Sequence, residues 1–113
     1  MHETSITESI LSLALEKARE ANAERVTRIN LVIGEMSGVV SECVQQYFEL
    51  LRENTIAGGA VLAIEKQPAA LKCRKCARVF SPGGENWQCP DCHEANVEIV
   101  SGRDCYMESI EVE

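Results

Sequence analysis

Aromatic residues are scarce in this chain, with one Trp, two Tyr and two Phe among 113 residues. Each aromatic side chain can bury ~150–250 Å², so the core must be built mainly from aliphatic residues and stay small. Long apolar runs are missing too: no stretch approaches the ~18 residues of a membrane span. The start, Met1-His2-Glu3-Thr4-Ser5, has no basic region and leads into no long apolar run, so no secretory signal is expected there. Those two absences point to a reducing cytoplasm. Basic residues are outnumbered, 11 against 18 acidic, for a net charge of −7. Such a balance argues against nucleic acid, whose phosphates are bound chiefly by Lys and Arg, and suits a cation or a basic partner surface. Histidine occurs only twice, and there is neither a Ser/His/acid set nor a Gly-rich phosphate loop. No enzyme activity is expected. Internal repeats and low-complexity linkers are also absent.

Cysteine, by contrast, is plentiful. Six are present, and Cys73, Cys76, Cys89 and Cys92 form a C-x2-C-x12-C-x2-C array. Each C-x-x-C turn aims two thiolates at one point, and two such turns make the tetrahedral S4 shell that Zn2+ prefers. In a reducing compartment, paired cysteines signify metal more often than disulfide. A redox switch and a rubredoxin-type iron site are the competing readings. Rubredoxin-like knuckles usually carry Gly after each second Cys, whereas Ala77 and His93 stand here, which favours zinc. Four filled positions make a structural site with no open coordination for catalysis. His93 beside Cys92 is a candidate to replace a thiolate or tune the site, although an exposed neighbour is the simpler reading. Cys43 and Cys105 lie outside the spacing and read as small, partly buried hydrophobes.

Hydrophobic spacing gives the remaining elements. Ile6, Ile10, Leu13, Ala14 and Ala21 predict a helix from Ser5 to about Asn22, with Ser5 and Glu8 resembling a capping box. Val26 to Ile33 alternates and predicts a strand ending at Gly34, followed by a Met36-Ser37-Gly38 turn. Val44, Tyr47, Phe48 and Leu51 predict the buried stripe of a helix from Ser41 to Glu53. After Gly58-Gly59, Ala60 to Glu65 reads as a short strand, and Tyr106 to Val112 as a final one with Ile110 and Val112 on one side. That last strand has little to pair with in the cysteine module, so it is expected to return to the first sheet. The expectation is an α/β (α+β) fold, two helices on a small three-stranded sheet with an inserted zinc-ribbon module. Residues 1–68 and 105–113 would form one domain and 69–104 the zinc ribbon.

Met1-His2-Glu3, Ile33-Gly34-Glu35, Ser37-Gly38, Cys73-x-x-Cys76 and Cys89-Pro90-Asp91-Cys92-His93 together resemble the HypA/HybF family over essentially the whole chain. That resemblance implies a nickel metallochaperone serving [NiFe]-hydrogenase, and in some organisms urease. It implies Ni2+ as transient cargo at Met1, His2 and Glu3, with Zn2+ held structurally. It also implies a nickel-handling GTPase and a hydrogenase large-subunit precursor as partners, and leaves room for a homodimer. One departure stands out. Where many members carry an acidic residue after the small-residue turn, this chain has Val40 and Ser41, with Glu42 next and Glu35 before the turn as candidate carboxylates.

The chemistry of the terminus supports the same site. A free α-amino group, a deprotonated amide and the His2 imidazole can chelate one ion in fused rings, with the Glu3 amide completing a plane. Tetragonal nitrogen donation suits Ni(II) or Cu(II) rather than Zn(II). The first N–H groups of a helix lack intrahelical acceptors, so deprotonating them breaks no helical bond. The Glu3 carboxylate has the simpler reading of a helix-start charge. A zinc ribbon binding nucleic acid is the rival function, but Lys66, Lys72, Arg74, Lys75 and Arg78 make only a modest basic cluster.

Overall fold

The computed structural model describes residues 3–82 and 87–113. Its elements run α1 (Glu3–Glu20), β1 (Val26–Gly34), α2 (Ser41–Leu51), β2 (Val61–Gln67), β3 (Ala70–Cys73), β4 (Val79–Phe80), β5 (Val97–Ser101) and β6 (Cys105–Val112). Strand β1 is the centre of the first sheet, in the order β2-β1-β6. Its β-branched and aliphatic residues suit a buried strand, and Val26, Ile29 and Leu31 to Ile33 are all buried.

Register builds the core row by row. Parallel β2 sets Leu62 beside Ile29 and Ile64 beside Leu31. Antiparallel β6 sets Ile110 and Met107 on the other side of the same two residues. A break in register between Asn30 and Leu31 gives β6 one extra residue there, as a β-bulge does. Helices α1 and α2 cover this apolar face, contributing Ile6, Ile10, Leu11, Ala14, Ala18, Val44 and Phe48 to one cluster. Ala14 and Ala18 are completely buried; their single methyl groups leave room for backbone to come close. As expected, the final strand has returned to the first sheet.

The helices differ from expectation in phase and start. Helix α1 begins at Glu3, so Ser5 lies inside its first turn and is not a cap. Its buried face is Ile6, Thr7, Ile10, Leu11, Ala14 and Ala18, while Leu13 and Ala21 of the expected stripe are exposed. A stripe read from apolar positions alone drifted toward Leu13 because the buried polar Thr7 was invisible to it. Thr7 is satisfied locally, its Oγ1 donating to the Glu3 carbonyl at 2.6 Å. The C-terminus ends in a Schellman motif: Asn22 takes φ 55°, Ala23 N donates to Ala18 O and Asn22 N to Arg19 O. Helix α2 ends at Leu51, with Val44 and Phe48 buried and Tyr47 exposed. Strand β2 starts one residue later and ends two residues later than expected, and Val112 lies exposed at the end of β6.

The second sheet, β4-β3-β5, is separate from the first. Two short chain crossings join them, Pro68-Ala69 between β2 and β3, and Gly102 to Asp104 between β5 and β6. The molecule measures 55 × 25 × 17 Å with a radius of gyration of 17.7 Å, well above the ~13 Å of a compact chain this long. It is an elongated body with a helix-covered sheet towards one end and a cysteine-rich sheet towards the other. Among the described residues, no helix is long and apolar enough to cross a membrane.

Candidate metal centre

Two chain segments in the second sheet fold into the same knuckle, sixteen residues apart in sequence. In the first, Ala77 N donates to Cys73 O and Cys73 N to Arg78 O, both at 2.9 Å. In the second, His93 N donates to Cys89 O at 2.9 Å and Cys89 N to Glu94 O at 3.0 Å. Ala77 and His93 close these turns at φ 63° and 60°, the left-handed region that glycine favours. The knuckle thus keeps its conformation although neither position is glycine. Strand β3 delivers Cys73 into the interior, where Cys73 and Cys89 are completely buried beside Leu71.

The knuckles bring four sulfurs together. Cys73 Sγ lies 3.5 Å from Cys92 Sγ, Cys76 Sγ 3.5 Å from Cys89 Sγ, and Cys92 Sγ 3.8 Å from Cys76 Sγ. All four atoms fall within 4.8 Å of one another. A disulfide needs ~2.05 Å, so these contacts are not bonds, and every cysteine is free. A tetrahedron with Zn–S bonds of ~2.3 Å has edges of about 3.8 Å. The cluster therefore fits a tetrahedral ion with only small adjustments.

Backbone N–H groups prepare part of the cluster for charge. Cys73 Sγ accepts from the N–H of Cys76 and Lys75, each at 3.4 Å. The Cys76 N–H, opposed by burial and aided by the Lys75 N–H, lowers its pKa to about 7. Cys89 is lowered in the same way, by the N–H of Cys92 against burial, with help from that of Asp91. At Cys92 the Glu94 N–H lowers the pKa, but burial and the three neighbouring thiols outweigh it and raise it to about 12. Cys76 is raised as well: the Arg78 N–H lowers it, and Cys89, burial and Cys73 prevail. The first thiol of each knuckle is thus drawn toward its charged form and the second toward its neutral one, as acidic groups crowded together push one another's pKa values apart. A divalent ion offsets that crowding.

Other sequence candidates lie elsewhere. His93 is exposed and stands outside the four-sulfur cluster. Cys43 is half-buried, and Cys105 is packed against the first core, where burial raises its pKa. Glu35 and Glu42 share a hollow of about 230 Å³ with Lys66. Glu42 is held below the usual carboxylate range by its own backbone N–H first and Lys66 second. Glu3 heads α1, and Met1 and His2 lie outside the described residues. Two cations of the basic cluster are already paired, Arg78 with Asp91 at 2.6 Å and Arg74 with Glu98 at 3.8 Å, which weakens the nucleic-acid reading. Sequence reasoning did not foresee these pairs. Opposite charges near the knuckles were visible, but not which would meet.

Comparison with known proteins agrees with this architecture. A family described as "Hydrogenase/urease nickel incorporation, metallochaperone, hypA" matches residues 1–112. The "Hydrogenase maturation factor HypA" of Dehalococcoides mccartyi is 48% identical over 113 residues, covering 100% of this chain and 95% of that protein. The factor of the same name from Aquifex aeolicus is 37% identical over 113 residues, covering 100% of this chain and 98% of that one. Among solved structures, the solution structure of the Ni metallochaperone HypA from Helicobacter pylori aligns at TM-score 0.71 and 32% identity, covering 99% of this chain and 97% of that one. A second, "Solution structure of HypA protein", aligns at TM-score 0.78 and 31% identity, over 100% of this chain and 97% of that one. With the match running through both sheets and the cysteine cluster, this chain belongs to the HypA family of metallochaperones for nickel incorporation and hydrogenase maturation.

Proposed function

We propose that the chain carries Ni2+ at its amino terminus and releases it to a hydrogenase under assembly, with Zn2+ fixed by Cys73, Cys76, Cys89 and Cys92 as scaffold. The α-amino group of Met1, the amide and imidazole of His2, and the amide of Glu3 are the nickel donors. The observation that carries this reading is the match, over residues 1–112, to a family described as serving nickel incorporation. Supporting it, α1 starts at Glu3, so the amides at its head have no intrahelical acceptor to lose on deprotonation. The zinc assignment rests on a thiolate-only donor set with edges near those of a ZnS4 tetrahedron.

In this reading residues 1–68 and 105–113 handle nickel and residues 69–104 form the zinc ribbon. The protein works in the cytoplasm, receives or passes nickel through a GTPase, and meets the hydrogenase large-subunit precursor. It performs no catalysis itself. Delivery requires release, so micromolar affinity fits the task better than picomolar; each tenfold in affinity is about 1.4 kcal/mol.

Calorimetric titration of Ni2+ into zinc-loaded protein tests the site. The native chain should bind, and His2→Ala should lose at least about tenfold in affinity, near 1.4 kcal/mol. A version with one residue added before Met1 should lose a similar amount, because its chelating amine is displaced. Unchanged binding in either variant would refute the terminal site.

A further inference from the structure

The two knuckles are related by a local two-fold pattern, and their charges follow it. Arg78 occupies the fifth position after Cys73 and Asp91 the second after Cys89. Glu94 and Lys75 occupy the corresponding positions with the roles exchanged. Both position pairs are therefore opposite in charge. In the structure one of them is closed: Arg78 Nη1 donates to Asp91 Oδ1 at 2.6 Å. On the other diagonal, Glu94 Oε1 accepts from Asn96 N at 3.2 Å.

Each partner of the closed pair is anchored in its own knuckle. The Arg78 carbonyl accepts from Cys73 N, so that residue already closes the first turn through its backbone. Asp91 lies between Cys89 and Cys92, with its N–H directed at Cys89 Sγ. An exposed ion pair is ordinarily weak, because two long side chains must be held in one geometry. Here both backbones are fixed, and a guanidinium presents rigid donors to the carboxylate. The contact spans 13 residues of sequence and links side chains of the two knuckles outside the sulfur cluster.

We propose that Arg78 and Asp91 form a clamp across the two knuckles that retards loss of the bound zinc. They are positioning residues, since neither contributes a ligand. The proposal rests on the S4 zinc reading and is independent of the nickel site.

Charge alone and a clamp make different predictions for the two partners. If only the local field mattered, Arg78→Gln and Asp91→Asn, which remove charges of opposite sign, would shift zinc retention in opposite directions. A clamp predicts that both weaken it.

The test measures zinc transfer from the full-length zinc-loaded protein to a chromogenic chelator in excess. Arg78→Gln and Asp91→Asn should each accelerate release, by about two- to fivefold for a pair of this kind. The double variant should be no faster than the faster single one, and Arg78→Lys should fall between native and Arg78→Gln. Cobalt substitution should give the same thiolate-to-cobalt absorption in every variant, confirming an intact S4 set. An Asp91→Asn protein that releases zinc at the native rate or more slowly would overturn the clamp. A native protein lacking the thiolate–cobalt band would instead overturn the zinc assignment, so the two failures are distinct.

Discussion

Gly34 and Gly102 meet back to back where the two sheets join: a Cβ on Gly34 would stand 2.3 Å from the Gly102 carbonyl oxygen. Gly34 N donates to Asp104 O at 2.8 Å, Met36 N to Gly102 O at 2.7 Å, and Glu35 N to Gln67 O at 2.9 Å. Ser101 Oγ adds a bond to Pro68 O at 3.0 Å. The second crossing is thereby hydrogen-bonded to the end of β1 and the turn after it, and the first is tied to Ser101 at the end of β5. Gly102 also takes φ 82°, with Ala69 Cα 2.7 Å from where its Cβ would lie. The joint is a packed backbone contact, and side chains cannot be added to it without moving main chain.

Gly34→Ala should accordingly destabilise the fold by about 2–3 kcal/mol, the range of overpacking that flexible neighbours cannot relieve. Thermal unfolding of the zinc-loaded protein measures it. The S4 cobalt spectrum should survive, because the cysteines lie beyond the crossing. A loss below about 0.5 kcal/mol, the size of an ordinary surface change, would contradict the close approach.

Ala77→Gly should have the opposite sign. At φ 63° the alanine Cβ is strained, and glycine removes that strain while giving the unfolded chain more freedom. The net gain expected is about 0.5–1 kcal/mol, with His93→Gly, at φ 60°, behaving alike. Chemical denaturation of the zinc-loaded proteins checks the sign, and a loss in both variants would exclude the left-handed turns.

Zinc uptake by the metal-free protein should weaken as the solution becomes acidic. Cys73 has its pKa lowered to about 7 from the ordinary 9.0, chiefly by the Cys76 N–H. Because the folded value is the lower one, the stabilisation of its thiolate is complete above the ordinary pKa and disappears as pH falls through about 7. Protons therefore compete with the ion most strongly below that point. Cys92, raised to about 12, must give up its proton on loading at any neutral pH. Competition titrations with a zinc chelator between about pH 5.5 and 8, with proton release followed in weak buffer, should show both effects. An affinity flat across that range would be inconsistent with thiolate ligands.

Phe48→Ala should remove about 3–5 kcal/mol, as truncation of a buried aromatic does. Phe48 is completely buried in the first core and carries the Arg52 guanidinium 5.6 Å from its ring centre. Urea denaturation followed by helical circular dichroism measures the loss. A value near 1 kcal/mol, typical of an average substitution, would mean that the cavity is refilled by neighbours.

Much of this architecture can be read from the chain itself, because it is encoded locally. An aliphatic strand from Val26 to Gly34, a C-x2-C pair repeated after twelve residues, and an alternating tail with nothing nearby to pair with are each self-contained signals. They give the metal cluster, the sheet-and-helix class and the return of β6. Helix phase was less secure. Thr7 is buried through a hydrogen bond to its own helix and Leu13 is exposed, so apolar spacing alone turns the stripe the wrong way.

Contacts between distant residues are a different matter. Gly34 meets Gly102, and Arg78 reaches Asp91, through the relative placement of two sheets and two knuckles. Such placement follows from the summed packing of many groups, and no local pattern of residues carries it. Amino-acid order thus determined which groups could hold a metal and which segments would pair. Only the folded arrangement decided how tightly the two sheets are joined and which charges stand across the cluster, since those depend on distances that chain neighbours do not set.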